Sequence, residues 1–312
     1  MGNKIRLLDA SLLSDKKKLR EISYWLKVMN RPNGWHYDLD QIWILNELEK
    51  TGILPGSTIL DAGAGQGVMQ YILAARGYNI ISFDFSPRTK PSHSLGIFQI
   101  EGEGDRNIDY HHPYMKFLSF GADSSRSMIA RLKAVTLRKI ALLPQRAINY
   151  GLSFLFYTYE RFVKNHEDYG TITYLRAPFH KAPLPSESVD ALISISAIEH
   201  ADISLFDENI KELLRLLKPG ASLLLTTSAS NTDEDTYHEK SSGWCFSLPS
   251  LKSFFPGCKV TFDAKTCARS LIESEVFKDR LDPYYYQDEK AFCYKKRIKS
   301  LPYLPVAVKM CK

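Results

Sequence analysis

Apolar residues recur with helical spacing through the first fifty positions. Leu19, Ile22, Leu26 and Met29 fall on one face of a helix that begins near Asp15. The turn-forming run Arg31-Pro32-Asn33-Gly34 ends that pattern, and a second helix is expected around Asp40 to Lys50. The period then changes. After Pro55-Gly56 a short apolar run, Thr58 to Leu60, reads as a strand, Val68 to Arg76 as a helix stopped at Gly77-Tyr78, and Asn79 to Phe83 as a second strand, which together make a β-α-β unit. The rhythm pauses between 89 and about 170, where a polar, glycine-containing stretch gives way to basic helical sequence. It resumes with strands at Thr171 to Leu175 and Val189 to Ile195. A helix from Phe206 to Leu217 follows, stopped at Lys218-Pro219-Gly220, and then a buried strand from Ala221 to Thr226. Lys259 to Phe262 and Phe292 to Lys295 are candidates for two last strands, and there is no internal repeat.

The first β-to-α turn carries the chemistry. In TILDAGAGQGVMQYILAARGYNIISFDFSPR (58–88) three glycines, Gly63, Gly65 and Gly67, crowd between strand and helix, and Asp84 closes the second strand. Glycine permits positive φ and lets a ligand approach where a Cβ would stand. The following helix offers unpaired N–H groups to a polar or anionic group. An acid about twenty positions downstream is suited to a ribose diol. The ligand expected is therefore a nucleoside with a polar tail. A dinucleotide motif would need its third glycine where Val68 stands, and no Gly-Lys-Ser/Thr follows to make a P-loop.

This stretch resembles the acidic-x-Gly-x-Gly-x-Gly motif of the class I S-adenosylmethionine-dependent methyltransferases. Two later segments, PLPSESVDALISISAIEHAD (183–202) and ELLRLLKPGASLLLTT (212–227), are similar to later motifs of that family, in the same order. The resemblance implies an α/β, Rossmann-like fold with a mostly parallel seven-stranded sheet and helices on both faces. It implies S-adenosyl-L-methionine as cofactor, with Gly63, Ala64, Gly65 and Gly67 beneath the methionine portion. Asp61 would orient the loop and the amino group, Asp84 would hold the ribose, and Phe85 would lie against the adenine. Many relatives read the adenine amino group with an acid that has no counterpart near Pro178, so the backbone or Phe179 would take that part. Ser196 closes the fourth strand and is assigned to the cofactor side. Some relatives bind a metal through Glu-x-x-Glu-His at this place. Here Ser196 replaces the first acid before Glu199-His200, and no metal is assigned.

A sulfonium methyl is already activated, so the enzyme's tasks are alignment and removal of a proton from a hydroxyl acceptor. His200, with Glu199 beside it, is the first candidate base. His238, in the polar loop 231–248, is the second, and Trp244 and Phe246 are candidate pocket walls. There is no Asn/Asp-Pro-Pro-Tyr/Phe after the fourth strand, which disfavours a base amine and favours an oxygen acceptor.

Charge sharpens the organisation. The chain of 312 residues carries a net charge of +6, yet residues 1–31 alone carry +5 and residues 126–164 carry +7, which leaves the remainder acidic. Three regions are expected: an N-terminal helical cap (1–54), a methyltransferase core (55–88 and 171–312), and a basic helical insertion (89–170). In the insertion Ile129, Leu132, Ile140 and Leu143 share one face, and QRAINYGLSFLFYTYERFVK (145–164) is apolar and aromatic with basic ends. It reads as a lid packed on the core by its apolar face, or as an element lying in a membrane interface through 126–164. Trp35, His36 and Tyr37 are acceptor contacts or a packed aromatic cluster. The five cysteines show no metal spacing and are expected to be reduced thiols. No secretory leader or membrane span is recognised, so a cytoplasmic protein is expected, with peripheral membrane contact as an option. The expected acceptor is a small molecule, glycan or lipid-linked compound, such as a bacterial surface-polysaccharide intermediate. RNA or a small metabolite is the runner-up, nucleic acid being disfavoured for want of a binding module. A non-catalytic membrane-associated scaffold is the alternative from another class.

Overall fold

The computed structural model describes residues 2–88, 90–94, 96–102, 143–281, 285, 293–294 and 297–312. Helices α1 (Lys16–Val28) and α2 (Tyr37–Thr51) follow an N-terminal strand, β1 (Lys4–Leu7). Asp15 caps α1 by accepting from the Lys18 N–H at 3.1 Å, and Gly52 ends α2 in the left-handed region at φ +73°. The unit expected from the glycine bend is present as β2 (Thr58–Ala62), α3 (Met69–Ala75) and β3 (Asn79–Asp84). A short strand β4 (Ile100–Gly102), a long helix α4 (Leu143–Val163) and β5 (Ile172–Arg176) come next. They are followed by β6 (Val189–Ile195), α5 (Phe206–Leu216), β7 (Leu217–Ala229), and the hairpin β8 (Thr236–His238) with β9 (Gly243–Cys245). The chain continues through α6 (Leu248–Phe254), β10 (Lys259–Thr261), α7 (Ala264–Glu273) and α8 (Glu275–Arg280). It ends with the small hairpin β11 (Cys293–Tyr294) and β12 (Arg297–Ile298), and then β13 (Leu304–Cys311).

One sheet organises these elements in the order β10-β1-β13-β7-β6-β2-β3-β5-β4. Only β13 runs against its neighbours, pairing antiparallel with β1 and β7. The strands β7-β6-β2-β3-β5-β4 are all parallel. This is the Rossmann-like α/β fold expected, with nine strands among the described residues where seven were expected. Six of the expected strands are in this sheet, and the additions are β1, β4 and β13. The N-terminal region is therefore more than a helical cap, because Lys4–Leu7 lies inside the sheet between β10 and β13. Two further expectations are corrected. Lys218-Pro219-Gly220 lies within β7, which starts directly after α5, and Cys293–Tyr294 forms a separate hairpin instead of a sheet strand.

The sheet reverses direction of growth at β2, which has β3 on one side and β6 on the other. In open parallel sheets the crevice outside the carboxyl ends at such a reversal is where ligands bind. The central strands are apolar and buried on both faces: Ile59, Leu60, Leu192, Ile193 and Leu223 to Leu225 are all inaccessible. The predicted helical face through Ile129, Leu132 and Ile140 lies outside the described residues. The later part of the insertion forms α4, and no helix of the described residues is long and apolar enough to cross a membrane.

Candidate active site at the carboxyl edge

At the end of β2 the chain turns through Gly63 (φ +74°) and Gly65 (φ +47°), both in the left-handed region. A Cβ on Gly63 would collide with the Cβ of Ala197 and stand 3.0 Å from the Phe179 ring. Gly65 is different: a Cβ there would meet only Asp84 Oδ2 at 3.8 Å and the Gly63 carbonyl at 4.0 Å. The backbone thus opens a cradle above Gly65 that a side chain would fill. The Gly65 N–H donates to Asp84 Oδ2 and the Ser86 N–H to Oδ1, each at 2.8 Å, which holds the carboxylate at the loop. Phe85 next to it is 69% exposed, a large ring left to solvent at the rim. These features suit a nucleoside whose ribose meets Asp84 and whose base meets Phe85. Phe179 leans on Gly63 and packs edge-on against Phe83, with ring centroids 5.9 Å apart. Asp61 is buried beneath the loop, and desolvation pushes its carboxyl up to about 7, with Arg88 opposing and Asp84 reinforcing that rise.

Several residues that build this cradle carry no sequence signature. Arg88 is buried, donates to Ser82 Oγ at 2.5 Å and to the Ser82 carbonyl, reaches the Gly65 carbonyl at 3.4 Å, and lies over the Tyr174 ring. Gln70 links Ser82 to the Gly67 carbonyl. Arg31, from the turn between α1 and α2, donates to Gln66 in the loop at 2.8 Å.

Beyond β6, Ser196 takes φ +45° and is buried, with its N–H on the Thr226 carbonyl. Its hydroxyl reaches Asp40 Oδ2 at 3.4 Å, and the same oxygen meets His36 Nδ1 at 2.7 Å. His36 Nε2 faces the Tyr303 hydroxyl at 3.3 Å, which also accepts from Trp35 Nε1 at 3.0 Å. Trp35, His36 and Tyr37 are thus a packed aromatic cluster at the start of α2, linked through His36 and Asp40 to Ser196. Asp40 Oδ1, Trp43 Nε1 and Ser194 Oγ are buried there with no partner among the described residues.

The three candidate catalytic residues occupy unlike settings. Glu199 is buried, with burial raising its pKa, and its oxygens accept from Thr227 at 2.9 Å and Ser228 at 3.4 Å. It anchors the turn to β7. His200 is exposed one 3-10 turn beyond Ala197, and its Nδ1 donates to the Ser242 carbonyl at 3.0 Å. A carbonyl can only accept, so Nε2 of the neutral ring is left as the acceptor. His238 has the opposite tautomer. Its Nδ1 accepts the Ser241 N–H at 3.3 Å, so Nε2 carries the proton, while burial and Lys240 lower its pKa and its ring packs on Tyr303. Trp244 packs on Tyr237, and Phe246 is buried among Phe206 and Phe254, so Phe246 anchors the loop. Among the described residues no group of three or more His, Cys, Asp or Glu is placed to hold a metal ion.

The architecture is that of the class I methyltransferases, and residues 118–225 match the family model described as a methyltransferase domain. That match and the parallel sheet order imply S-adenosylmethionine as the cofactor. The matched range starts beyond the glycine loop. Among solved structures, the [4+2]-cyclase SpnF is 14% identical, with a TM-score of 0.44 and coverage of 99% of this chain and 98% of that one. A SAM-dependent methyltransferase from Methanosarcina mazei is 14% identical (TM-score 0.41; 85% and 96% covered), and the YcgJ protein from Bacillus subtilis is 12% identical (0.39; 86% and 97%). No curated protein matches the sequence.

Proposed function

We propose that the protein transfers the methyl group of S-adenosylmethionine to a hydroxyl oxygen of a sugar, glycan or lipid-linked acceptor, such as a surface-polysaccharide intermediate. The cofactor supplies a sulfonium methyl that any well-aligned nucleophile can take. What the protein must add is a pocket that aligns the oxygen and a base that accepts its proton.

The observation that carries this reading is the tautomer of His200. With Nδ1–H fixed on the Ser242 carbonyl, Nε2 presents a lone pair at the mouth, one turn from the Ala197 that touches Gly63. Glu199 holds that turn to β7 from the buried side. His238, whose Nε2 carries its proton in the neutral ring, is better suited to donate a hydrogen bond to a substrate oxygen than to take a proton from it. Asp61 beneath the loop, together with Gly63, Ala64, Gly65, Gly67, Asp84 and Phe85, would hold the cofactor, with Ser196 and Phe179 closing its far side.

The test is incubation of the protein with methyl-labelled cofactor and extracts or defined glycans, followed by mass spectrometry of the product. The expected result is label on oxygen, reduced about a hundredfold or more by His200→Ala and little by His238→Gln. Label that disappears on ribonuclease treatment would favour the RNA-directed alternative. Absence of cofactor binding, or binding unchanged in Asp84→Ala, would favour the non-catalytic scaffold.

A further inference from the structure

Helix α4 turns Ser153, Phe156, Tyr157 and Glu160 to the protein and leaves most of its other apolar residues to solvent. On the inner side Ser153 and Glu160 are buried, and Glu160 accepts from the hydroxyls of Tyr24 and Tyr169. On the outer side Tyr150, Phe154, Leu155, Tyr159, Phe162 and Val163 are exposed, from 47% at Tyr150 to 71% at Phe162. Their spacing follows one broad helical face, completed by Gly151 and Thr158, with Arg161 the charge that falls on its edge. A contiguous aromatic stripe of this kind on the outside of a helix marks a surface that meets an apolar partner.

What lies beside the stripe selects that partner. Helix α4 packs on α1 through Phe156 against Tyr24, with ring centroids 5.4 Å apart. Along α1, Lys16, Lys17, Arg20 and Lys27 are exposed, Lys27 Nζ standing 4.9 Å from the Phe156 ring. Lys16, Arg20 and Lys27 line a groove of about 740 Å³ that is closed by Phe156 of α4 and by Val276, Asp279 and Arg280 of α8. The groove's acids are Glu21, which is occupied by Arg76, and Asp279, against the cations Lys16, Arg20, Lys27 and Arg280. An aromatic stripe bordered by lysine and arginine fits the interface of an anionic bilayer, with tyrosines at the headgroup level and the cations over lipid phosphates. A symmetric pair of copies meeting on the same stripe would bring the two cationic borders together, at an electrostatic cost.

The geometry points to the outer face of α4, flanked by the basic edge of α1, as a docking surface for an anionic phospholipid membrane. The surface lies next to the methyltransferase site. Arg161 of α4 reaches Gly96, and Tyr157 packs on His93, both in the segment that follows β3. Docking by this face would bring the crevice to the level of the lipid headgroups. The inference holds whichever acceptor is methylated.

Flotation of the full chain with vesicles tests it. One set is phosphatidylcholine with phosphatidylglycerol and the other phosphatidylcholine alone. The expected result is recovery with the anionic vesicles, weakened at least about tenfold with neutral ones. Phe154→Glu with Phe162→Glu, and separately Lys16→Glu with Lys17→Glu and Arg20→Glu, should each weaken recovery by a similar factor, with unchanged melting temperature and cofactor affinity. No recovery of the wild type, or equal recovery of the variants, overturns the proposal. So does a melting temperature lowered by the aromatic substitutions, which would mean that the chain itself covers the face. A concentration-dependent dimer abolished by Phe154→Glu would assign the face to a second copy. Cofactor calorimetry on the same samples reports separately on the methyl-transfer reading.

Discussion

At Gly63 the chain combines two demands that no other residue meets: a φ of +74°, and no atom where a Cβ would strike Ala197. Gly63→Ala should cost about 1–3 kcal/mol of stability and abolish cofactor binding. Asp84→Ala leaves the fold nearly intact, because its loss frees only the Gly65 and Ser86 N–H groups, but it removes the group proposed to hold the ribose. Calorimetry should show cofactor affinity falling at least about tenfold, roughly 1.4 kcal/mol. Asp61 sets the pH response. Its ordinary value is 3.8 and burial raises it to about 7, so between these values the folded protein binds a proton that the unfolded chain does not. That contribution to stability is complete below pH 4 and is lost as pH rises to about 7. Thermal melts from pH 4 to 8 should show the decline in wild type and a flatter profile in Asp61→Asn. A cofactor ammonium placed beside Asp61 favours the ionised carboxylate, so binding near pH 6 should release a proton. Titration in two buffers of different ionisation heat measures that release, and Asp61→Asn should abolish it.

Among the elements, α4 is held to α1 by one buried carboxylate. Burial and Glu160 both raise the pKa of Tyr24 and Tyr169, so both phenols stay protonated and donate to it. Glu160→Leu strands those two hydroxyls and should cost about 1–3 kcal/mol, read by urea unfolding. Adding Tyr24→Phe and Tyr169→Phe should recover part of the loss. The location of Glu160 also shows where reading the sequence stops. Helix α1 and the β2-α3-β3 unit were legible because their signals are local: a 3.6-residue period, an aspartate cap, glycines where φ must be positive. The apolar, aromatic character of 145–164 was equally visible, but composition does not say which face turns inward, and the inner face proved to carry Ser153 and Glu160 beside Phe156 and Tyr157. Strand β13 escaped because Pro302 and Pro305 break its pattern, although Leu304 and Val306 to Val308 are buried between β1 and β7. In the site, the loop glycines and Asp84 follow from spacing. The links Ser196–Asp40 and His36–Tyr303 join residues more than 150 positions apart and leave no local trace.

The whole molecule closes on itself through Glu47 of α2. Its Oε1 accepts from Lys4 of β1 and from Lys50, each at 2.9 Å, and its Oε2 accepts from Lys309 of β13 at 3.0 Å. Glu47 and Lys309 are both almost inaccessible, so the pair lies between the helix and the two strands at opposite ends of the chain. Burial alone would raise the carboxyl of Glu47, but the three ammonium groups outweigh it and hold it down at about 2, against an ordinary 4.5. Stability from this group is therefore present above pH 4.5 and lost as pH falls from there toward 2. Glu47→Gln takes the carboxylate away from the buried charge of Lys309, and should cost about 3–5 kcal/mol at pH 7. Denaturant unfolding should show the gap to wild type narrowing below pH 4.5 and closing near pH 2. Glu47→Leu with Lys309→Met removes both charges and should recover most of the stability, since an apolar pair of similar volume avoids the desolvation of two ions. The same helix carries Asp40 two turns earlier, against Ser196 at the crevice floor. If the ion cluster fixes the position of that floor, Glu47→Gln should weaken cofactor binding severalfold at pH 7, and the apolar double variant should restore it along with stability. Recovery of stability without recovery of affinity would mean that the charges themselves, and not the seating of α2, serve the site.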